Sequence, residues 1–212
     1  IVPAGTRLEN IGGELVFSPD EVAVRQFSME SGPGRIRASG TVAIENLEPG
    51  DIDISIRGTQ FQAANTQFYN AIVDLNSSIS GTLENPELRG DLRFLSGFVF
   101  LQNFGERAVE DVVLEGEEET EAVDFYENMD IEVNVAFTED FFIRNRQYLD
   151  LEIELDGEVD LLKDPAGDLQ MFGQLEGVRG YARPLGKRFE LEEGIVTFSG
   201  DPANPNLNIR TI

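Results

Sequence analysis

Apolar and acidic residues alternate strictly between positions 149 and 161. Every odd position there is aliphatic except position 157, which is Gly, and every even position is Asp or Glu. Successive side chains of an extended strand point to opposite faces, so this stretch predicts a strand with one aliphatic face and one carboxylate face. The aliphatic positions are Leu149, Leu151, Ile153, Leu155, Val159 and Leu161.

The same two-residue period recurs in three earlier stretches, 51–56, 92–100 and 129–137, each of which predicts a further strand. Their apolar positions are Ile52, Ile54 and Ile56, then Leu92, Phe94, Phe98 and Phe100, then Met129, Ile131, Val133, Val135 and Phe137. The best candidate for a helix is the Gln- and Asn-rich stretch 60–71, where we expect a turn or two. The pattern as a whole predicts an all-β fold.

Glycine recurs in a fixed context, two positions before an aliphatic residue. Glycine inside a strand marks a bend, a bulge or a close backbone approach, and repeated glycines are typical of a sheet that coils as it grows. The spacing is too irregular for a strict solenoid repeat. The glycines in this context are Gly13, Gly40, Gly81, Gly90, Gly157 and Gly173.

Alternation leaves open what the aliphatic face packs against. A closed sandwich of two sheets is the commonest arrangement of half-buried antiparallel strands, and the pattern alone favours it. A sheet that curls around an apolar groove would show the same alternation. A closed core would suit an adhesin-like or carbohydrate-binding domain, whereas a groove would suit a lipid or a nascent strand.

Charge and composition exclude several functions. The chain has 40 acidic and 16 basic residues and a net charge of -24, which repels phosphate backbones, so we expect no nucleic-acid partner. It contains no Cys and no His, which excludes a thiolate nucleophile, a Cys or His zinc site and a Ser-His-Asp triad. We therefore predict no enzymatic activity, no catalytic residue, no cofactor and no metal.

Acidic residues are densest between positions 110 and 124, which hold eight Asp or Glu and no basic residue. The like charges of such a block repel one another, so the block predicts a disordered loop at 103–126 between two β segments, 1–102 and 127–212.

The residues from Asp51 to Asp53 begin like a calcium-binding loop, but Ile56 and Gln62 stand where such a loop needs Gly and Glu. For the basic residues of the second half, we favour compensation of neighbouring acids over a contact with a headgroup or a partner. They are Arg144, Arg146, Arg179, Arg183, Lys187 and Arg188.

Two stretches of the chain carry short motifs in a fixed order. The first has a Gly-x-aliphatic strand, an Arg-Gly-aromatic turn, Gly-Lys, Phe-x-Leu, a Gly-Ile-x-x-Phe strand and Pro-x-Leu-x-Ile. These motifs fall on 173–175, 179–181, 186–187, 189–191, 194–198 and 205–209. The second stretch joins two strands through Asn85-Pro86. Together these motifs resemble the C-terminal region of the TamB family, in the AsmA-like superfamily. The acidic block at 110–124 is not typical of the family.

The resemblance implies a long, curled, taco-like β-sheet with an apolar inner groove, in the periplasm of a Gram-negative-type bacterium, as part of an inner-membrane-anchored parent protein. It implies transport of phospholipid between the inner and outer membranes, with acyl chains against the groove. The alternative is a scaffold for outer-membrane protein assembly or secretion, which works by β-augmentation with a barrel partner of the TamA or BamA type. In both cases the predicted groove residues are the apolar positions named above, from Ile52 to Leu161, Met129 excepted.

Overall fold

The computed structural model describes residues 4–101, 125–146 and 150–212. These residues form twelve β-strands and one short 3-10 turn, Pro184–Gly186. The strands are β1 (Leu8–Gly12), β2 (Leu15–Phe17), β3 (Glu21–Ser31), β4 (Gly34–Glu45), β5 (Glu48–Asn65), β6 (Tyr69–Gly81), β7 (Pro86–Phe100), β8 (Asp130–Asn145), β9 (Leu151–Lys163), β10 (Gln170–Ala182), β11 (Phe189–Gly200) and β12 (Asn206–Thr211).

All twelve strands belong to one sheet. From β3 to β12 each strand lies beside the next one in the chain, and β1 and β2 both pair with the outer edge of β3. The sheet is curled and is not closed into a barrel. The prediction of an all-β, curled sheet is confirmed. The sandwich alternative would require a second sheet packed on the first, and the described residues form no second sheet.

The helical turn expected between positions 60 and 71 is wrong. Strand β5 continues to Asn65, and β6 begins at Tyr69. Thr66 closes the tight connection, because its hydroxyl oxygen accepts hydrogen bonds from the backbone N–H groups of Phe68 at 3.2 Å and Tyr69 at 3.0 Å. The Gln and Asn residues of this stretch lie on long strands, and pairing along these strands overrides the weak intrinsic preference of the two residue types.

Strands β7 and β8 form the sheet's parallel pair, with Glu87 beside Asp130 and Phe100 beside Arg144. The connection between them contains the predicted acidic loop at 103–126, of which residues 103–124 lie outside the described part of the chain. The chain is described again from Phe125, and Lys163 of β9 holds it there. The Lys163 ammonium donates hydrogen bonds to the carbonyl oxygens of Glu127 at 2.6 Å and Met129 at 3.2 Å.

Among the described residues, no helix has the length and apolar composition needed to cross a membrane.

Candidate functional site

The register of the sheet brings aliphatic residues from successive strands into rows. In one row Ile54 lies opposite Ile79, which lies opposite Leu88, which lies opposite Ile131. Directly opposed residues point to the same side of a sheet, so each row belongs to one face. We call this the apolar face. Its members include Val42, Ile52, Ile54, Ile56, Val73, Leu75, Ile79, Leu88, Leu92, Phe94, Ile131, Val133, Val135, Phe137, Phe141, Ile143, Leu151, Ile153, Leu155, Val159, Leu161, Met171, Leu175, Val196, Phe198, Leu207 and Ile209.

The apolar face is most tightly packed across β8, β9 and β10. Five residues are buried there, and Val159 at the centre is only 2% exposed. The five are Val135, Phe141, Leu155, Val159 and Leu175. Beside them the rings of Phe94 and Phe137 stack with centroids 4.8 Å apart, and Phe141 meets both edge-on at 5.1 and 5.0 Å. Such aromatic pairs add stability beyond their buried area, so this region anchors the face.

A second cluster lies at the β5–β6 hairpin. Phe61, Ala71 and Val73 are buried, and Leu92 and Phe94 pack against them as well as against the first cluster. The two clusters therefore share residues of β7 and form one apolar surface along the sheet.

Many side chains of the apolar face remain only partly buried, among them Val133, Ile153 and Leu161. Val133 lies beside Gly90 of β7, and Ile153 lies beside Gly180 of β10. All described strands belong to one sheet, so no second sheet covers these partly buried side chains.

Two glycines allow the sheet to bend at the tight cluster. Gly157 has a φ of 123° and lies between Phe137 and Leu175, and Gly173 has a φ of 124° and lies between Val159 and Phe198. These backbone conformations are rarely open to L side chains. A Cβ atom would lie 2.5 Å from the neighbouring backbone at Gly157 and 2.6 Å from it at Gly173, so the missing side chains allow β9 and β10 to approach closely here.

Polar residues bound the apolar face at both ends of β8 and β9. At one end Lys163 lies opposite Ile131, is 5% exposed and is held by backbone carbonyls. At the other end Asn145 is fully buried, and its amide donates a hydrogen bond to the carbonyl oxygen of Leu101 at 2.5 Å. The apolar strip is therefore limited along these strands but continuous across them.

The opposite face, which we call the outer face, carries the alternating carboxylates. Glu154 is an exception, since it is only 3% exposed. Burial raises the pKa of its carboxyl group, but a hydrogen bond from the Asp140 N–H at 3.0 Å and the adjacent Arg179 guanidinium outweigh burial and hold the pKa below its usual range. Glu154 thus stays ionised and ties β8 to β10 across β9.

Most of the predicted groove residues share the apolar face. Those that the structure brings together are Ile52, Ile54, Ile56, Leu92, Phe94, Ile131, Val133, Val135, Phe137, Leu151, Ile153, Leu155, Val159 and Leu161. Leu149 lies outside the described residues. That these residues contact lipid stays a prediction.

Phe98 and Phe100 do not lie with the others, and their assignment to the groove is corrected. A bulge between Phe94 and Gly97 inserts one residue into β7, so positions after it change face. Phe98 lies beside Phe142 on the outer face, where the Arg144 guanidinium stacks on both rings at 5.1 and 5.0 Å.

Sequence patterns missed several members of the apolar face. Phe141 escaped because Thr138, Glu139 and Asp140 interrupt the alternation, and Asp140 has a φ of 76°. Leu175 carried a usable signal, since it ends one of the Gly-x-aliphatic triplets. Val196 and Phe198 lie opposite Leu175 and Gly173.

The basic residues of the second half mostly pair with acids. Arg144 lies 2.8 Å from Glu152, Arg183 lies 2.9 Å from Asp150, and Arg179 and Arg188 each contact a carboxylate as well. For these four, compensation of neighbouring acids is confirmed.

Fold and site together define an all-β protein that carries a continuous, partly open apolar face on one curled sheet. The family model of the TamB C-terminal domain matches residues 25–212, and the chain therefore belongs to the TamB family. No curated protein matches the chain. The family is a non-enzymatic component of the cell envelope, with a role in the translocation and assembly module, where it works with a partner.

Proposed function

We propose that the apolar face shelters phospholipid acyl chains while they cross the periplasm between the inner and outer membranes. The observation that carries this proposal is the continuity of the face: aliphatic and aromatic residues follow one another across neighbouring strands from β4 to β12, and no described strand covers them. Eight strand spacings of about 4.8 Å give a path of roughly 40 Å.

The energetics favour an apolar surface over a specific pocket. Removal of one CH₂ group from water is worth about 0.8 kcal/mol, so a sixteen-carbon chain needs roughly 13 kcal/mol of shelter to leave a membrane. A uniform apolar surface offers this shelter at every point along the path. A lipid can then slide without having to escape from a tight site.

The groups around the face suit a periplasmic segment of a larger, inner-membrane-anchored protein. The acidic outer face keeps a sheet with a large apolar patch in solution, because net charge opposes association. An outer-membrane β-barrel assembly protein is the partner that we propose at the far end of the path.

A scaffold for outer-membrane protein assembly is the second candidate. The same apolar face, or a strand edge, would then receive a nascent barrel strand by β-augmentation. In that case binding of the barrel partner should survive when the apolar face is blocked, whereas lipid passage should not.

The test of the proposed function is mass spectrometry of organic extracts from the chain purified without detergent. We expect phospholipid in the extract at a level well above that of an unrelated acidic protein taken through the same purification, because a partly open apolar face retains lipid from the cells. An extract with no phospholipid above that control would contradict the proposal.

A further inference from the structure

A basic cleft lies on the outer face of strands β3, β4 and β5. It has a volume of about 590 Å³ and is lined by arginines, hydroxyl groups and an amide, together with Phe27 and Ala38, and none of its described lining residues is a carboxylate. Its polar lining consists of Arg25, Arg35, Arg37 and Arg57 with Gln26, Ser28, Ser39, Ser55 and Thr59. In a chain with 40 acidic and 16 basic residues, a cleft of this composition is a local reversal of charge.

The register forces the arginines together. Arg37 of β4 lies directly opposite Arg57 of β5, and Arg35 lies opposite Thr59. Like charges directly opposite each other on neighbouring strands are destabilising. A further pair, Ser39 and Ser55, brings two hydroxyl groups to the same wall of the cleft.

Carboxylates do not neutralise this cluster within the described residues. None of the four arginines of the cleft forms an ion pair with a described acid. By contrast, Arg89, Arg144 and Arg183 lie 2.8–2.9 Å from the carboxylates with which they pair. The nearest cross-strand acid of Arg35 is Glu30, whose carboxylate accepts a hydrogen bond from Asn10 instead.

We propose that this cleft binds a phosphate group, either free in solution or in a lipid headgroup. Guanidinium groups match phosphate oxygens with paired hydrogen bonds, and the hydroxyl groups supply further donors. The net charge of -24 does not prevent this, because charges beyond a Debye length of about 8 Å are largely screened at physiological ionic strength.

The arginines of the cleft lie on the opposite face of the sheet from the proposed lipid path, although Phe27 and Ala38 also line the cleft. Arg37 and Arg57 alternate along β4 and β5 with Ala38 and Ile56, whose side chains point to the apolar face. The phosphate site therefore stands or falls independently of acyl-chain binding on the other side of the sheet.

The test is isothermal titration calorimetry of the chain with inorganic phosphate and with pyrophosphate at physiological ionic strength. The cleft variant is Arg37→Gln with Arg57→Gln. The matched control is Arg7→Gln with Arg210→Gln, which removes the same two charges from exposed ion pairs outside the cleft. We expect the wild-type chain and the control to bind and the cleft variant to bind at least about tenfold more weakly, since each lost guanidinium removes charge-assisted hydrogen bonds.

Flotation with vesicles distinguishes the two sources of phosphate. Binding to phosphatidylcholine vesicles that contain phosphatidic acid, but not to phosphatidylcholine alone, assigns the site to a headgroup if the cleft variant loses it. Binding of the soluble anions alone assigns it to free phosphate. The melting temperature verifies that the variant is folded, and Arg25→Gln with Arg35→Gln replaces it if it is not. No binding in either assay, or an equal loss in the control, would overturn the proposal.

Discussion

Replacement of Val133 or Ile153 by arginine is expected to leave the chain folded and to abolish phospholipid binding. Both side chains are only partly buried on the apolar face, and each has a neighbouring glycine, Gly90 or Gly180, which carries no side chain. The guanidinium can therefore reach water along the open face, while the apolar path is interrupted by a charge.

The measurement combines thermal unfolding with binding of a fluorescent phospholipid on the same samples. We expect the melting temperature to change by no more than about 5 °C, which corresponds to roughly 1–2 kcal/mol for a domain of this size, and lipid affinity to fall by more than tenfold. Gln174→Arg is the matched control, because it adds the same charge at an exposed position of the outer face.

A third variant shows how a fully buried position responds to the same substitution. Val159 is 2% exposed at the centre of the tight cluster, so Val159→Arg would bury an unpaired charge and should unfold the chain. Unfolding of the Val133 and Ile153 variants as well would mean that a closed core covers them. Folded variants with undiminished binding would mean that lipid does not use this face.

Gly157→Ala is expected to destabilise the fold by about 2–4 kcal/mol, since it adds strain and a backbone clash. Gly157 has a φ of 123°, and a Cβ atom there would lie 2.5 Å from the carbonyl oxygen of Gln174. The sheet cannot relieve this contact without separation of β9 from β10 at the tight cluster.

Thermal unfolding measures this loss, and we expect a melting temperature lower by roughly 5–15 °C. Gly12→Ala is the control, because a Cβ atom at Gly12 meets nothing within 4 Å and its φ is not in the strained range. Equal stability of Gly157→Ala and wild type would show that the bend does not depend on this glycine.

Alternation along the chain was enough to predict the strands and most of the apolar face, because side-chain direction in a strand is fixed by parity. It failed after Phe94, where the bulge before Gly97 reverses parity and carries Phe98 and Phe100 to the outer face. Gly97, within the alternating stretch, was the available sign of an irregularity in the strand. A glycine alone does not show which kind of bend or bulge the strand will form.

Features that depend on contacts across strands could not be read from local sequence. Glu154 looked like any other member of its acidic row, and its burial depends on Asp140 and Arg179 from the strands on either side. The basic cleft likewise depends on the register that sets Arg37 against Arg57. The pairing register is fixed by turns and packing along the whole sheet, so it cannot be predicted from a stretch of about ten residues alone.

The central claim is that acyl chains lie against the apolar face, and site-specific photo-crosslinking tests it most directly. A benzophenone side chain would replace Phe137, which lies on the apolar face, or Phe142, which lies on the outer face of the same strand. Both phenylalanines are partly buried and both lie on β8, so the two samples differ mainly in the face that carries the probe. After illumination with radiolabelled phospholipid, we expect labelled protein with the probe at position 137 and none at position 142. Equal labelling at both positions, or labelling at 142 alone, would contradict the account.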